Sequence, residues 1–593
     1  MHDLSLPGDP ADDVGRGAPL SRGGTAFLQF AAGLGFHGLQ IGPQGETSPG
    51  DPSPYDSTLF SRSTASLALG PLVEEGLLDE ADLAGLVAGR PPGALARADH
   101  AYAHVATGGA LDRAWERATM EKRLPEFAAR HAGWLERDAV QRALEEEHGE
   151  PDWRRWPEPD RSLFSRRPPL GARERLAALR AKHAGRIGRF QLGQLLAHEQ
   201  HRAVRALARS LDLALSGDLQ IGIALRDLWS YGALLASDWL MGAPPSRTNP
   251  EGQPWGYGVL DPDLYGDRAS PGPALAFVRA RAAKLLEEVD GLRVDHPHGL
   301  IDPWVYAPGD PDPRAALRRG TRLFSSPGHP GLSRWAIARP EQIDPEQPPH
   351  ADGRVRELGA EQVERYALLF DALVDAVRAA GRGPEEIVPE VLSTQPYPVC
   401  RVLERHGLGR FRVTQKASLR DPDDVYRSEN ACPQDWIMVG THDTEPIWRV
   451  AERWVAEGEA PGRAAYLASR LVPDPARRGE WARRASASAP ALARAQLADL
   501  FVGPARNVMV FFADLLGLRE VYNRPGTVGP GNWSLRVPAD FAEAWPRAAR
   551  EGRALDLPAA LATAFRARGP EFANAHSALI AALDGGEPTS TST

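Results

Sequence analysis

Residues 289–295 read VDGLRVD, and this stretch decides the fold. It is a short apolar run that begins after a helical segment (274–288) and ends on a carboxylate, Asp295. Arg293 lies two residues before Asp295, so on a strand both side chains face the same side. The same design recurs along the chain. EEIVPEV reads as a strand ending at Glu390, and WIMVGTHD (436–443) as a strand ending at Asp443. GRFRVTQ (409–415) is another strand, and LALSGDLQIGI (213–223) carries its one charge, Asp218, near its C-terminal end. Nearer the start, a helix over 25–33 leads into a short strand, HGLQIGP, and a Gly/Ser/Pro loop.

Strands that alternate with helices and carry polar groups at their C-terminal ends predict an α/β fold of the (β/α)8 TIM-barrel type. Residues 72–206 are rich in Ala, Leu, Arg and Glu and predict a mainly helical insertion. Residues 308–358, rich in Pro, Gly and Asp, predict an irregular insertion. The expected organisation is a single catalytic domain over 1–585, with both insertions inside it and a frayed tail at 586–593.

The bulk properties exclude several classes. With 69 Lys+Arg against 78 Asp+Glu, the net charge of −9 argues against a general nucleic-acid binder. No apolar run approaches the ~18 residues of a membrane helix, and the acidic N-terminus has no signal-peptide core. The two cysteines, Cys400 and Cys432, form no CxxC motif and read as buried thiols in a reducing, cytoplasmic setting. Oligomeric state is not legible.

In a barrel, the ends of the strands that carry Asp295, Glu390 and Asp443 converge on one mouth. Retaining glycoside chemistry needs such a set: one carboxylate attacks the anomeric carbon, and a second, protonated one donates to the leaving oxygen. Strand-end acids also serve as loop caps or ion pairs, and residue type alone leaves both readings open. Arg293 can hold Asp295 ionised, and His296 and His442 adjoin Asp295 and Asp443. The DHPH and HDT segments lack the spacing of HExxH or an EF-hand, so no metal is expected. Nucleotide-binding glycine motifs and a GxSxG elbow are absent as well, and no cofactor is expected.

GLRVDHPHG, IVPEVLS and MVGTHDT together resemble the catalytic segments of the 4-α-glucanotransferases, the amylomaltases of glycoside hydrolase family 77. GPQGETSPGDPSPYDS, SGDLQIGI, FQLGQLLAHEQ, GAPPSRTNPEGQPWG and DLLGLREVYNRPGTVGPGNWSLR resemble further family segments in the same order. The resemblance implies a barrel with inserted subdomains and a double-displacement mechanism on maltooligosaccharides or α-glucans. It makes Asp295 the nucleophile, Glu390 the acid/base and Asp443 the transition-state stabiliser. Arg293, His296 and His442 become positioning residues, and Asp218 the acid of the Gly-Asp strand. Tyr55, Gln253, Trp255, Asn523 and Asn532 fall on glucan-binding loops. The chain departs from the pattern beside two of its acids. The family's AEDLG is Pro389-Glu390-Val391-Leu392-Ser393 here, and its DHFRG is Asp295-His296-Pro297-His298-Gly299. Transfer between sugars is the leading reading. Hydrolysis by the same mechanism and a catalytically silent glucan binder are the alternatives.

Overall fold

The computed structural model describes residues 1–585 apart from 49, 118–121, 248 and 530; the expected tail at 586–593 lies outside the described residues. The chain divides into two compact units. The larger comprises His2–Glu390 with Thr394–Gly407, and the smaller Val391–Ser393 with Leu408–Thr593, together with Met1. The described strands are β1 (Gly38–Gln40), β2 (Ala214–Leu219), β3 (Leu235–Ala243), β4 (Gln253–Leu260), β5 (Gly291–Val294), β6 (Trp304–Tyr306), β7 (Thr321–Arg322), β8 (Ile387–Pro389), β9 (Phe411–Val413), β10 (Trp436–Met438) and β11 (Asn507–Val508).

The larger unit holds a parallel sheet of order β1-β2-β5-β8. Every residue of β5 and β8 is buried, as expected of parallel strands covered on both faces. A second sheet, β4-β3-β6-β7, is antiparallel. Between β1 and β2 the chain is largely helical, and its longest helix is Ala184–Ser210. Leu192 and Leu196, four apart on that helix, pack with Leu67, Leu69 and Leu111. Val204 and Ala208, the next pair at that spacing, pack with Leu28, Ile41 and Leu215. One helix thus joins the helical segment to the parallel sheet. Full burial of each Leu or Val contributes about 1.5–3 kcal/mol. Gly188 is required on this helix, because a Cβ there would meet the Trp115 ring at 2.4 Å. Residues 308–358 contain the short helix Pro313–Arg318, β7 and three 3-10 turns.

The smaller unit holds the parallel sheet β9-β10-β11 and a set of helices that includes Ile447–Ala456 and Ala489–Asp499. The N-cap of Ile447–Ala456 is Pro446, which has no capping side chain. Buried Asp514 takes that role from a distance: its carboxylate accepts from Ile447 N–H at 2.8 Å, and its carbonyl accepts from the Trp448 indole at 2.8 Å.

Three sequence expectations are corrected. The segment around GQPWG, expected as loop, is the strand β4 of a hairpin, so Gln253 and Trp255 stand on a strand. Alternation in that segment is masked by its glycines. The strands ending in the three acids are only three or four residues long, because ladder pairing stops before each carboxylate. The cysteines are not buried: Cys400 is half-buried, its thiol donating to Glu404 at 3.2 Å, and Cys432 is exposed.

Asp290, immediately before β5, ties these elements together. Its carboxylate accepts from Arg205 (2.8 Å), Arg209 (2.8 Å), Arg382 (2.6 Å) and the backbone N–H of Leu215 (3.0 Å), and it is fully buried. The carboxylate is buried while its arginines reach it from partly exposed positions, so its removal chiefly costs these charge-assisted bonds and the capped Leu215 N–H. Asp290→Ala is expected to lower unfolding stability by about 1.5–3 kcal/mol, measured by urea denaturation; a loss within ordinary surface-mutant scatter would contradict this role.

Candidate active site

Register places the first group of residues. Asp218 on β2 is paired with Arg293 on β5. One step past the last ladder pairs, Asp295 N–H donates to Leu219 O and Glu390 N–H to Val294 O. Asp295 and Glu390 therefore occupy the same level at the ends of adjacent strands, with Arg293 two residues below Asp295 on the same face.

Arg293 is the centre of the group. It is 3% exposed. One terminal nitrogen, Nη1, lies 2.5 Å from Asp218 and 3.2 Å from the Tyr55 hydroxyl. The other, Nη2, lies 2.5 Å from Glu390 and 3.5 Å from Asp295. Tyr55 in turn donates to Asp218 at 2.9 Å, and Gln40 approaches the same oxygen at 3.5 Å. His296 closes the other side: its Nδ1 is 3.2 Å from Asp295 and 3.3 Å from Glu390. One oxygen of each carboxylate and the His296 nitrogen all lie within 4.8 Å of one another. His296 reaches this position with φ of 39°, in the left-handed region. The backbone N–H of Ile221 is directed at the second oxygen of Asp295, at 3.4 Å.

This arrangement drives the two carboxyls apart. Burial pushes Asp295 up, but the charge and hydrogen bond of His296, with Arg293 behind it, override burial and hold it well below the usual carboxylate range. Burial dominates at Glu390, with the charge of Asp295 adding to it against the pull of Arg293 and His296, and pushes it up to about 7. Burial lowers His296, but the adjacent Asp295 carboxylate more than reverses this and raises the imidazole to about 9. Asp218 is raised by burial to about 6 against the pull of Arg293. A buried guanidinium thus faces one firmly ionised carboxylate and one that holds its proton near neutrality.

An aromatic wall stands beside this group. Trp255 on β4 packs edge-on against His296, with ring centroids 4.9 Å apart, and its indole N–H donates to Gln253 at 3.0 Å. Tyr257, two residues on, is 6.0 Å from Trp255 and donates to Asp56 at 3.3 Å. Gly256 N–H donates to the Tyr306 hydroxyl on β6, which pins the hairpin.

The smaller unit gathers the second group. Asp443 accepts from Asn523 at 2.6 Å, lies 3.5 Å from His442, and has a side chain 42% exposed. His442 packs against Trp533, with centroids 5.6 Å apart. Gly440 is constrained here, since a Cβ would meet the Thr444 hydroxyl at 2.6 Å. Asn532 faces its own loop, donating to Thr527 O at 2.8 Å and accepting from Arg524 N–H at 3.2 Å.

Each of the two groups is internally connected. Among the residues singled out from sequence, only Asn532 is turned wholly to loop bonding in the contacts described. Tyr257 and the Ile221 N–H were missed. The i, i+2 spacing of Trp255 and Tyr257 was the available signal for the former; a backbone donor has none. Tyr306 was missed too, because it touches the hairpin through a backbone amide.

A family model described as 4-alpha-glucanotransferase, of glycoside hydrolase family 77, matches residues 2–541. A 4-alpha-glucanotransferase of Streptococcus pneumoniae is 24% identical over 559 residues, covering 91% of this chain and 92% of the relative. Among solved structures, an amylomaltase from Streptococcus agalactiae in complex with acarbose superposes with a TM-score of 0.68 at 20% identity, over 93% of this chain and 98% of that one. An amylomaltase from Corynebacterium glutamicum gives 0.62 at 19% identity, over 93% and 74%. These likenesses bear out the α/β barrel class expected from the strand-end pattern. The family match spans nine-tenths of the sequence and includes the GLRVD, IVPE and GTHD segments. The chain accordingly belongs to the 4-alpha-glucanotransferase family, the amylomaltases of glycoside hydrolase family 77.

Proposed function

We propose that this chain moves α-1,4-glucan segments between sugar acceptors by a retaining double displacement, with Asp295 as nucleophile and Glu390 as acid/base. One observation carries the reading: the two carboxylates approach within 4.8 Å, share Arg293 and His296, and are driven in opposite directions of acidity. Retaining glycosidases hold their two carboxyls about 5–5.5 Å apart. An ionised Asp295 attacks the anomeric carbon while Glu390 gives its proton to the leaving oxygen. Oε1 of Glu390 is held by Arg293, and Oε2 lies 3.3 Å from His296 Nδ1. In the second half-reaction Glu390 takes a proton from the acceptor hydroxyl, and the glycosyl–Asp295 ester opens.

Arg293 and Asp218 position the pair, and Tyr55 fixes Asp218. Trp255 supplies a flat face for a glucose ring. Asp443 takes the stabiliser role from its GTHD motif, with Asn523 and His442 holding its carboxylate. The substrate class, maltooligosaccharides and α-glucans, follows from family membership. It suits the acarbose complex of the streptococcal amylomaltase. No described helix is long and apolar enough to cross a membrane, and two cysteines held as thiols suit a cytoplasmic setting.

Incubation with maltotriose is expected to release glucose together with a ladder of longer oligosaccharides. Release of only glucose and maltose would replace transfer by hydrolysis, and binding without conversion would leave a silent glucan binder. Asp295→Asn should lower kcat by ~10³-fold or more with the melting transition retained; normal turnover would overturn the nucleophile assignment.

The pH dependence has a definite sign. The first step needs Glu390 protonated, so kcat/KM should fall as pH rises through about 7. The charge of His296 lowers the pKa of Glu390, so His296→Gln should move that alkaline limb upward. A limb that stays in place would remove His296 from the electrostatics of the pair. Trp255→Ala should raise KM for maltotriose by about 3- to 10-fold with a smaller change in kcat, as expected for the loss of one stacking face.

A further inference from the structure

We propose that His131, His198 and Glu287 form a binding site for one divalent transition-metal ion of the zinc type, away from the carboxylate pair. The three donors come from separate helices. His131 is the N-cap of Ala132–His148, His198 lies within Ala184–Ser210, and Glu287 is the C-cap of Pro273–Leu286. Both histidines are buried, at 5% and 3% exposure, while Glu287 is half-buried. The Nε2 atoms of His131 and His198 lie 3.6 and 3.7 Å from the same oxygen, Glu287 Oε2. Three protein ligands of the His/His/Glu type are a recognised zinc set. Bonds of ~2.0–2.1 Å in tetrahedral geometry separate donors by about 3.3–3.5 Å; the two histidine–Glu287 spacings are close to this, and all three donor atoms lie within 4.8 Å of one another.

The surrounding bonds prepare these atoms to ligate. His198 Nδ1 lies 2.8 Å from Glu288, a fully buried carboxylate paired with Arg62 (2.5 Å) and Lys284. With Nδ1 turned to Glu288, Nε2 is the ring nitrogen left to a metal, on the side facing Glu287. Neither His131 Nε2 nor Glu287 Oε2 has a hydrogen-bond partner, although both atoms are buried. The two neighbouring cations, Arg62 and Lys284, are engaged by Glu288, which limits their repulsion of a bound ion. The Trp134 indole N–H donates to His131 Nδ1 across 3.4 Å. Ligation through Nε2 moves the His131 proton to Nδ1 and gives up that long bond.

The test uses the full chain, stripped with a chelator and titrated with Zn2+ by calorimetry and with Co2+ by visible absorption. The expected result is one equivalent bound, the absorption bands of tetrahedral cobalt, and a rise in melting temperature with zinc. Glu287→Gln, at a half-exposed position, should fold normally and weaken binding by about 100-fold or more, losing the cobalt bands. His131→Asn should behave alike. His296→Gln separates this site from the Asp295–His296–Glu390 cluster and should leave the zinc affinity of the proposed site in place. Equal affinity in the native chain and Glu287→Gln, loss of binding on His296→Gln instead, or no binding at all would overturn the proposal.

Discussion

The guanidinium of Arg293 is the constraint on which the carboxylate group rests. Asp218, Asp295 and Glu390 are all nearly buried, and three carboxylates cannot share so small a volume without a fixed cation. Arg293 meets them with its two terminal nitrogens, and a planar fork can do this where a flexible ammonium could not. The parallel register of β2, β5 and β8 follows the same need. It sets Asp218 opposite Arg293 and brings Asp295 and Glu390 level with each other one step later.

The difference in acidity between Asp295 and Glu390 then follows from small asymmetries. Asp295 receives a hydrogen bond from His296 and lies near the Ile221 amide, while one oxygen of Glu390 has no hydrogen bond. Burial is common to both. A pair of groups pushed apart in this way supplies an attacking base and a proton donor at one pH. The family's second acid beside the acid/base is Val391 in this chain, so no neighbouring carboxylate from that position adds to the proton affinity of Glu390. Burial and Asp295 supply it instead.

Much of this was legible in the sequence because it is written as short-range pattern. The i, i+2 spacing of Arg293 and Asp295, and apolar runs ending on acids, need no tertiary knowledge. The hairpin of β3 and β4 was not legible, because Gly252, Gly256 and Gly258 break the alternation that marks a strand. The roles of Tyr55 and Asp290 were legible only in part or not at all. Both depend on partners far away in sequence: Tyr55 meets Asp218, and Asp290 meets two arginines of the helix Ala184–Ser210 and Arg382. The thiols were misjudged because cysteine is more often buried than most residue types, and that average says nothing of one helix face.

The left-handed backbone at His296 bears on how this sequence can change. A non-glycine residue held there costs on the order of 1–3 kcal/mol, and glycine would remove most of that cost. Selection for stability alone would therefore favour loss of the imidazole. The role proposed for the imidazole beside Asp295 and Glu390 accounts for a side chain placed where the backbone favours glycine, and an unused copy of the gene would be free to lose it.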